Sequence, residues 1–289
     1  MSEIRSFSES KELSKEQPSL TVYLIRHGES GKDKTNSKRG LTDKGVEQVK
    51  QTTHNIIKQI ITDEVPEFAN WEDKEAVKNA FKQALQKVEI HLRDSGTVRT
   101  QEQEWAEHDV MIEMGANEED INLPKSAYEW KGVPTPDTAG PGIARRVKGI
   151  QGVDTNPEFR KKISDKAYQE KLGAKDEIVA WALTPEDDIP EDVETKAEMV
   201  RRKNADLVVV ERAARLLKNK EKRIIYIANS HASIASLTSA DELGIPLEEL
   251  GEVENAEGLR LDFYSSGNQR TAKPVGEKIE SLNKNYKKS

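Results

Sequence analysis

Cysteine is absent from all 289 residues. That excludes disulfides, thiolate catalysis and cysteine-bound zinc, whatever the compartment. Aromatic residues are scarce at 5%, and the hydrophobic fraction is 35% against 34% charged. With a mean hydropathy of −0.78, the chain is polar for a globular protein and suggests long surface helices or mobile segments. No apolar run reaches the length of a membrane span. Residues 1–19 are polar and carry charges throughout, with no apolar core of the secretory kind. The expectation is a cytoplasmic protein with no membrane partner. An excess of basic residues is also missing. Lys and Arg number 45 against 52 Asp and Glu, a net charge of −7. This argues against non-specific nucleic-acid binding. A cationic pocket on an anionic body still suits a small phosphate ester.

What is present is chemistry at strand ends. Thr21-Val22-Tyr23-Leu24-Ile25 is apolar and β-branched, and it runs into Arg26-His27-Gly28-Glu29-Ser30. Near the other end, Ile224-Ile225-Tyr226-Ile227-Ala228 runs into Asn229-Ser230-His231. Each segment reads as a strand delivering a histidine to a loop. In open α/β sheets, ligands bind outside the carboxyl ends of the strands. Imidazole there can act as a nucleophile or exchange a proton near neutral pH. Arg26 adds a permanent charge suited to phosphate or carboxylate. A third strand, Val88–Leu92, leads to Arg93-Asp94-Ser95-Gly96-Thr97-Val98-Arg99 and a helix beyond. Arg99 falls in that helix's first turn, where a cation opposes the macrodipole and an anion is welcome. Stability alone does not favour an arginine there.

The remaining pattern alternates strand and helix, which predicts a mostly parallel sheet with right-handed crossovers. Val46, Val49, Ile56, Ile57 and Ile60 mark one face of a helix from Thr42 to about Ile61. A second helix is predicted over about 72–86. A third runs from 97 to about 107, before a short strand near Val110–Met114. Residues 115–190 break the rhythm and read as an insertion over the strand ends, with a charged helix at Asn156–Leu172 and another at Glu177–Leu183. A long helix over about 192–218, the strand at 223–229 and a last strand at Leu259–Phe263 return to the core. The domain plan is a tail over 1–19, one domain over 20–264, and a solvated lysine-rich tail over 265–289.

Leu24-Ile25-Arg26-His27-Gly28-Glu29-Ser30 resembles the Arg-His-Gly signature of the histidine phosphatase superfamily, also called phosphoglycerate-mutase-like. Leu41-Thr42-Asp43-Lys44-Gly45 resembles its Leu-Thr-x-x-Gly element. Ser95 to Arg99 is similar to its Ser-Pro-x-x-Arg stretch, and Ser230-His231 to its second histidine. The four fall in the family's order and cover about 20–110 and 195–263. The implied fold is a three-layer α/β sandwich, a mostly parallel sheet flanked by helices, with a helical cap insertion over the pocket.

The implied activity is a metal-independent phosphatase that forms phosphohistidine on His27. Arg26, Arg99, a charged His231 and Ala232 would hold the phosphoryl group. The resemblance implies no metal or other cofactor and a partner that is a small phosphorylated substrate or a phosphoprotein. It leaves the oligomeric state open. A carboxylic acid must protonate the leaving alcohol. Glu129 fits the family's placement best, with Glu113, Glu118, Glu119 and Asp120 as rivals. His54, His91 and His108 are scattered and read as structural. Departures bear on substrate rather than on phosphoryl chemistry. The loop before Leu41 is short, Gly96 replaces a proline, Gln103 stands where threonine is frequent, and Ala232-Ser233 follows the second histidine. A phosphoglycerate-type mutase, a phosphohistidine-protein phosphatase and a non-catalytic phosphate binder are the alternatives.

Overall fold

The computed structural model describes residues 17–31, 39–123, 149–217, 221–265 and 270–286. Its centre is a six-stranded sheet. The strands in chain order are β1 (Leu20–Arg26), β2 (Val88–Arg93), β3 (Ile121–Asn122), β4 (Arg223–Ser230), β5 (Gly258–Phe263) and β6 (Arg270–Val275). Their spatial order is β3-β2-β4-β1-β5-β6. The first four run parallel, and β5 is antiparallel to both β1 and β6. The sheet is thus mostly parallel, with an antiparallel edge.

Register brings the chemistry together. In the β1–β4 pair, Leu20 lies opposite Ile224 and Arg26 opposite Ser230. Each strand stops one residue before its histidine, so the two histidines emerge side by side. The His27 N–H donates to Ser230 O at 3.0 Å. A slip of one residue would turn every side chain to the other face of the sheet.

Helices α1 (Asp43–Glu64), α2 (Lys74–Leu85) and α3 (Val98–Glu113) connect the first strands. Thr42 caps α1 by accepting the Gly45 N–H at 3.0 Å. Ile56, Ile57, Ile60 and Ile61 of α1 join Phe81 and Leu85 of α2, Val110 and Met111 of α3, and the sheet residues Ile90, Leu92, Ile225 and Ile227 in one core.

The strand expected near Val110–Met114 does not exist. Val110–Glu113 are the last turn of α3 and Met114 is its C-cap, with Val110 and Met111 buried against the core. Three adjacent apolar residues fit a helix face as well as a strand. Gly115, at φ +98°, ends the helix, and the Ala116 N–H closes back onto Met111 O at 3.0 Å. The strand falls later, at β3.

Within the insertion, α4 (Pro157–Ser164), α5 (Lys166–Leu172) and α6 (Glu177–Leu183) are short. The single helix expected over 156–172 is broken at Asp165, whose carboxylate accepts the Tyr168 N–H at 3.0 Å and so starts a new helix. Helix α7 (Lys196–Leu216) begins four residues later than expected, at the Thr195–Glu198 capping box. Helices α8 (Ala232–Leu243) and α9 (Leu247–Leu250) follow β4. Phe159, Ile163 and Trp181 of the insertion pack with Ile234 and Leu237 of α8 in a second core. The insertion is therefore fastened to the helix that starts at His231.

The solvated tail expected from 265 onward is also corrected. Residues 270–275 form β6, and α10 (Glu277–Tyr286) packs Ile279, 1% exposed, into the second core. No helix among the described residues is long and apolar enough to cross a membrane.

Candidate active site

Two glycines set the site's shape. A Cβ on Gly28 would lie 2.4 Å from Gly45 O, and one on Gly45 would lie 2.0 Å from Glu29 O. The loop after β1 and the first turn of α1 touch backbone to backbone, closed by the Thr42 N–H donating to Glu29 O at 2.9 Å. Only glycine fits this approach at both positions. The two motifs are two sides of one contact.

His27 lies within this support and is 7% exposed. Its Nδ1 is 2.8 Å from Gly28 O. A carbonyl only accepts, so Nδ1 carries the proton and Nε2 carries the lone pair. Burial, first, and then the Arg99 guanidinium hold the His27 pKa well below 6.5. His231, beyond β4, has its ring centroid 5.6 Å from that of His27, edge-on. Arg99 Nη2 donates to His231 Nδ1 at 3.1 Å, and Ser95 Oγ lies 2.8 Å from Nε2. Burial and Arg99 pull the His231 pKa to about 3. The charged ring expected there is instead neutral, because an imidazole accepting from arginine has no lone pair to protonate.

Arg26 and Arg99 complete the cluster. Arg26 Nη2 pairs with Glu252 Oε1 at 2.6 Å, and its Nη1 donates to Val253 O at 2.5 Å. Arg99, 8% exposed, is lowered to about 10 by burial and then by Arg39. Among the described residues, the buried Nε atoms of Arg26 and Arg99 have no hydrogen-bond partner. Unsatisfied cationic donors beside a neutral imidazole pair are poised for an anion.

These groups line a cavity of about 730 Å³. Arg26, His27, Arg99, His231 and Ala232 all reach it, the last as the first residue of α8, whose leading N–H groups lack helical acceptors. The insertion supplies the opposite wall through residues 149–155, Arg160, Ile163, Glu177 and Ile178. Arg202 anchors that wall, binding Glu194 with two nitrogens at 2.8 Å and donating to Gly149 O at 3.1 Å.

Glu129 lies outside the described residues. Its rivals do not reach the cavity. Glu113, Glu118 and Glu119 are exposed, and Glu118 instead meets His108 at 2.9 Å. Among the described residues, the acids that do line it are Glu29, Asp154, Glu177 and Glu252. His54 contacts Lys50 O on α1, and His91 meets Glu89 at 2.7 Å, both away from the cavity.

Sequence reasoning missed Arg39 and Arg160, which bring the arginines on the wall to four among the described residues. A lone arginine in a polar loop, as at 39, or on a charged helix, as at 160, carries no distinguishing signal. It noted Gln103 only as a departure from the resembled pattern, and it missed Glu107. Helical spacing could have found them, since residues 99, 103 and 107 share one face of α3.

No protein-family model matches the sequence, and no curated protein matches it. Solved structures do match. A phosphoglycerate mutase from Bacillus anthracis str. Sterne superimposes with a TM-score of 0.51 at 13% identity, covering 94% of this chain and 99% of that one. Also similar are a mycobacterial glucosyl-3-phosphoglycerate phosphatase complexed with inorganic phosphate (TM-score 0.47, 13% identity, 90% and 99% covered) and a phosphoserine phosphatase from Entamoeba histolytica (0.42, 13%, 90% and 99%). The fold is therefore that of the phosphoglycerate-mutase-like α/β class, the class its motifs resemble. At 13% identity the likeness is one of fold.

Proposed function

We propose that the protein is a phosphomonoesterase working through a phosphohistidine on His27. One observation carries the reading: an unprotonated Nε2, fixed by the Nδ1–H bond to Gly28 O, faces a cluster of arginines and a second imidazole. His27 Nε2 attacks phosphorus, and the bond from phosphorus to the ester oxygen breaks. The leaving alkoxide takes a proton from a carboxylic acid. Water then attacks phosphorus and gives a proton to the resulting carboxylate, while the P–N bond breaks and returns the lone pair to Nε2. Negative charge on the equatorial oxygens is met by Arg26, Arg99 and the N–H groups that open α8. A dianion beside His231 opposes the pull of the arginines and favours the charged ring when substrate binds.

The cations come from the chain, so hydrolysis of an aryl phosphate should persist in EDTA and vanish in His27→Ala. Full activity in His27→Ala would defeat the reading. We assign the general acid to Glu129 on the resemblance. Glu129→Gln should slow alkyl phosphates, whose leaving groups need the proton, far more than aryl phosphates. Equal slowing of both would reject Glu129.

A phosphoglycerate-type mutase is the second reading, since that activity occurs on the same fold. Phosphoryl transfer between two hydroxyls of a phosphoglycerate, faster than release of inorganic phosphate, would select it. Phosphate binding without turnover would select the non-catalytic alternative.

A further inference from the structure

Behind the cavity, four hydrogen bonds join the two histidine loops through α3. The Gly28 N–H donates to Gln103 Oε1 at 3.1 Å. Gln103 Nε2 donates to Asn229 Oδ1 at 2.6 Å and to Glu107 Oε1 at 2.9 Å. Asn229 Nδ2 donates to Glu107 Oε2 at 2.8 Å. All three side chains are at most 1% exposed.

The direction of every bond is dictated. A backbone N–H can only donate, so Gln103 turns its oxygen to Gly28 and its NH2 inward. Both amide hydrogens are then taken. Asn229, accepting one of them, must point its own NH2 at Glu107. Both oxygens of Glu107 receive donors, which leaves no acceptor for a carboxyl proton. The network closes only around a carboxylate. Burial pushes the Glu107 carboxyl up to about 7 against the pull of the two amides. A buried carboxylate is a poor choice for stability, where an apolar side chain would pack at lower cost.

We infer that Glu107, with Gln103 and Asn229, is a positioning residue that locks the His27 and His231 loops in catalytic register. Gly28 carries the carbonyl that orients His27, and Asn229 lies two residues before His231. The role rests on the phosphotransfer reading of the site. Gln103, a departure from the resembled pattern, has a function in this account: it is the link between the loop amide and the carboxylate.

Two variants test it. Glu107→Gln keeps size and places an amide donor against one of two existing donors. It should lower kcat on an aryl phosphate by about tenfold or more, with KM within about threefold, as expected for misplaced reacting groups. A folded E107Q within about twofold of wild-type kcat overturns the inference. Should E107Q fail to fold, Gln103→Met must show the same loss, and wild-type kcat there overturns it.

Hydrogen exchange reads the lock without turnover. The Gly28 amide should be protected in the wild type and at least about tenfold less so in E107Q. Unchanged exchange in E107Q counts against the lock. A wild type without turnover counts against the phosphotransfer reading alone.

Discussion

The Nδ1–H of His27 is engaged by Gly28 O, and its ring is buried beside Arg99. The bond places the neutral ring's proton on Nδ1, and burial beside Arg99 keeps a second proton off Nε2. Imidazole nitrogen NMR should find His27 as the neutral Nδ1–H tautomer from about pH 8 to about pH 5, where a free histidine has taken up a proton. A titration near 6.5 would contradict the geometry. His231 allows a linkage test. Its folded pKa of about 3 lies below the ordinary 6.5. It therefore contributes stability that is present above 6.5 and is lost as pH falls toward 3. His231→Asn removes the titration, so between about pH 6.5 and pH 5 the wild type should lose up to ~2 kcal/mol more stability than the variant. Denaturant unfolding at the two pH values measures the difference, and equal losses would mean that His231 titrates normally. Both histidines and Arg26 were legible in the sequence, because strand ends and loops are local signals. The charge state of His231 was not, since it depends on Arg99, 132 positions away in the chain.

Among the elements, the contact between the β1 loop and α1 fixes the nucleophile. Gly45→Ala would drive a Cβ into Glu29 O, and neither backbone has room to yield. The variant should lose about 1–3 kcal/mol, the usual cost of overpacking, and lose activity with it. Wild-type stability would show that the contact is loose. Strands β1, β2 and β4 were readable from their apolar, β-branched runs. The end of α3 was not, because Val110, Met111 and Ile112 offer three apolar residues that suit either element, and only packing against α1 and the sheet decides. The break at Asp165 was missed because its effect depends on a cap, one side chain bonded to the Tyr168 N–H, inside a uniformly charged stretch.

For the whole molecule, the C-terminal segment closes the structure. Lysine density hid the apolar face of α10, where Ile279 and Leu282 reach the core that also holds the insertion. Ile279→Ala should cost about 2–4 kcal/mol by denaturant unfolding. No change would restore the reading of a solvated tail. The insertion was placed over the strand ends from its broken rhythm alone, and residues 149–178 do form the far wall of the cavity. Which of its side chains would reach there was not legible. Arg160 enters on α4, which packs on α6 in the core that α8 shares, an arrangement that joins distant parts of the chain.

The account stands on a covalent bond between phosphorus and His27. Rapid quenching of the protein mixed with a radiolabelled phosphomonoester measures it directly. The account predicts an acid-labile, base-stable label that maps to His27, forms no more slowly than turnover and is absent in His27→Ala. Steady turnover with no such label, or a label on another residue, would contradict it.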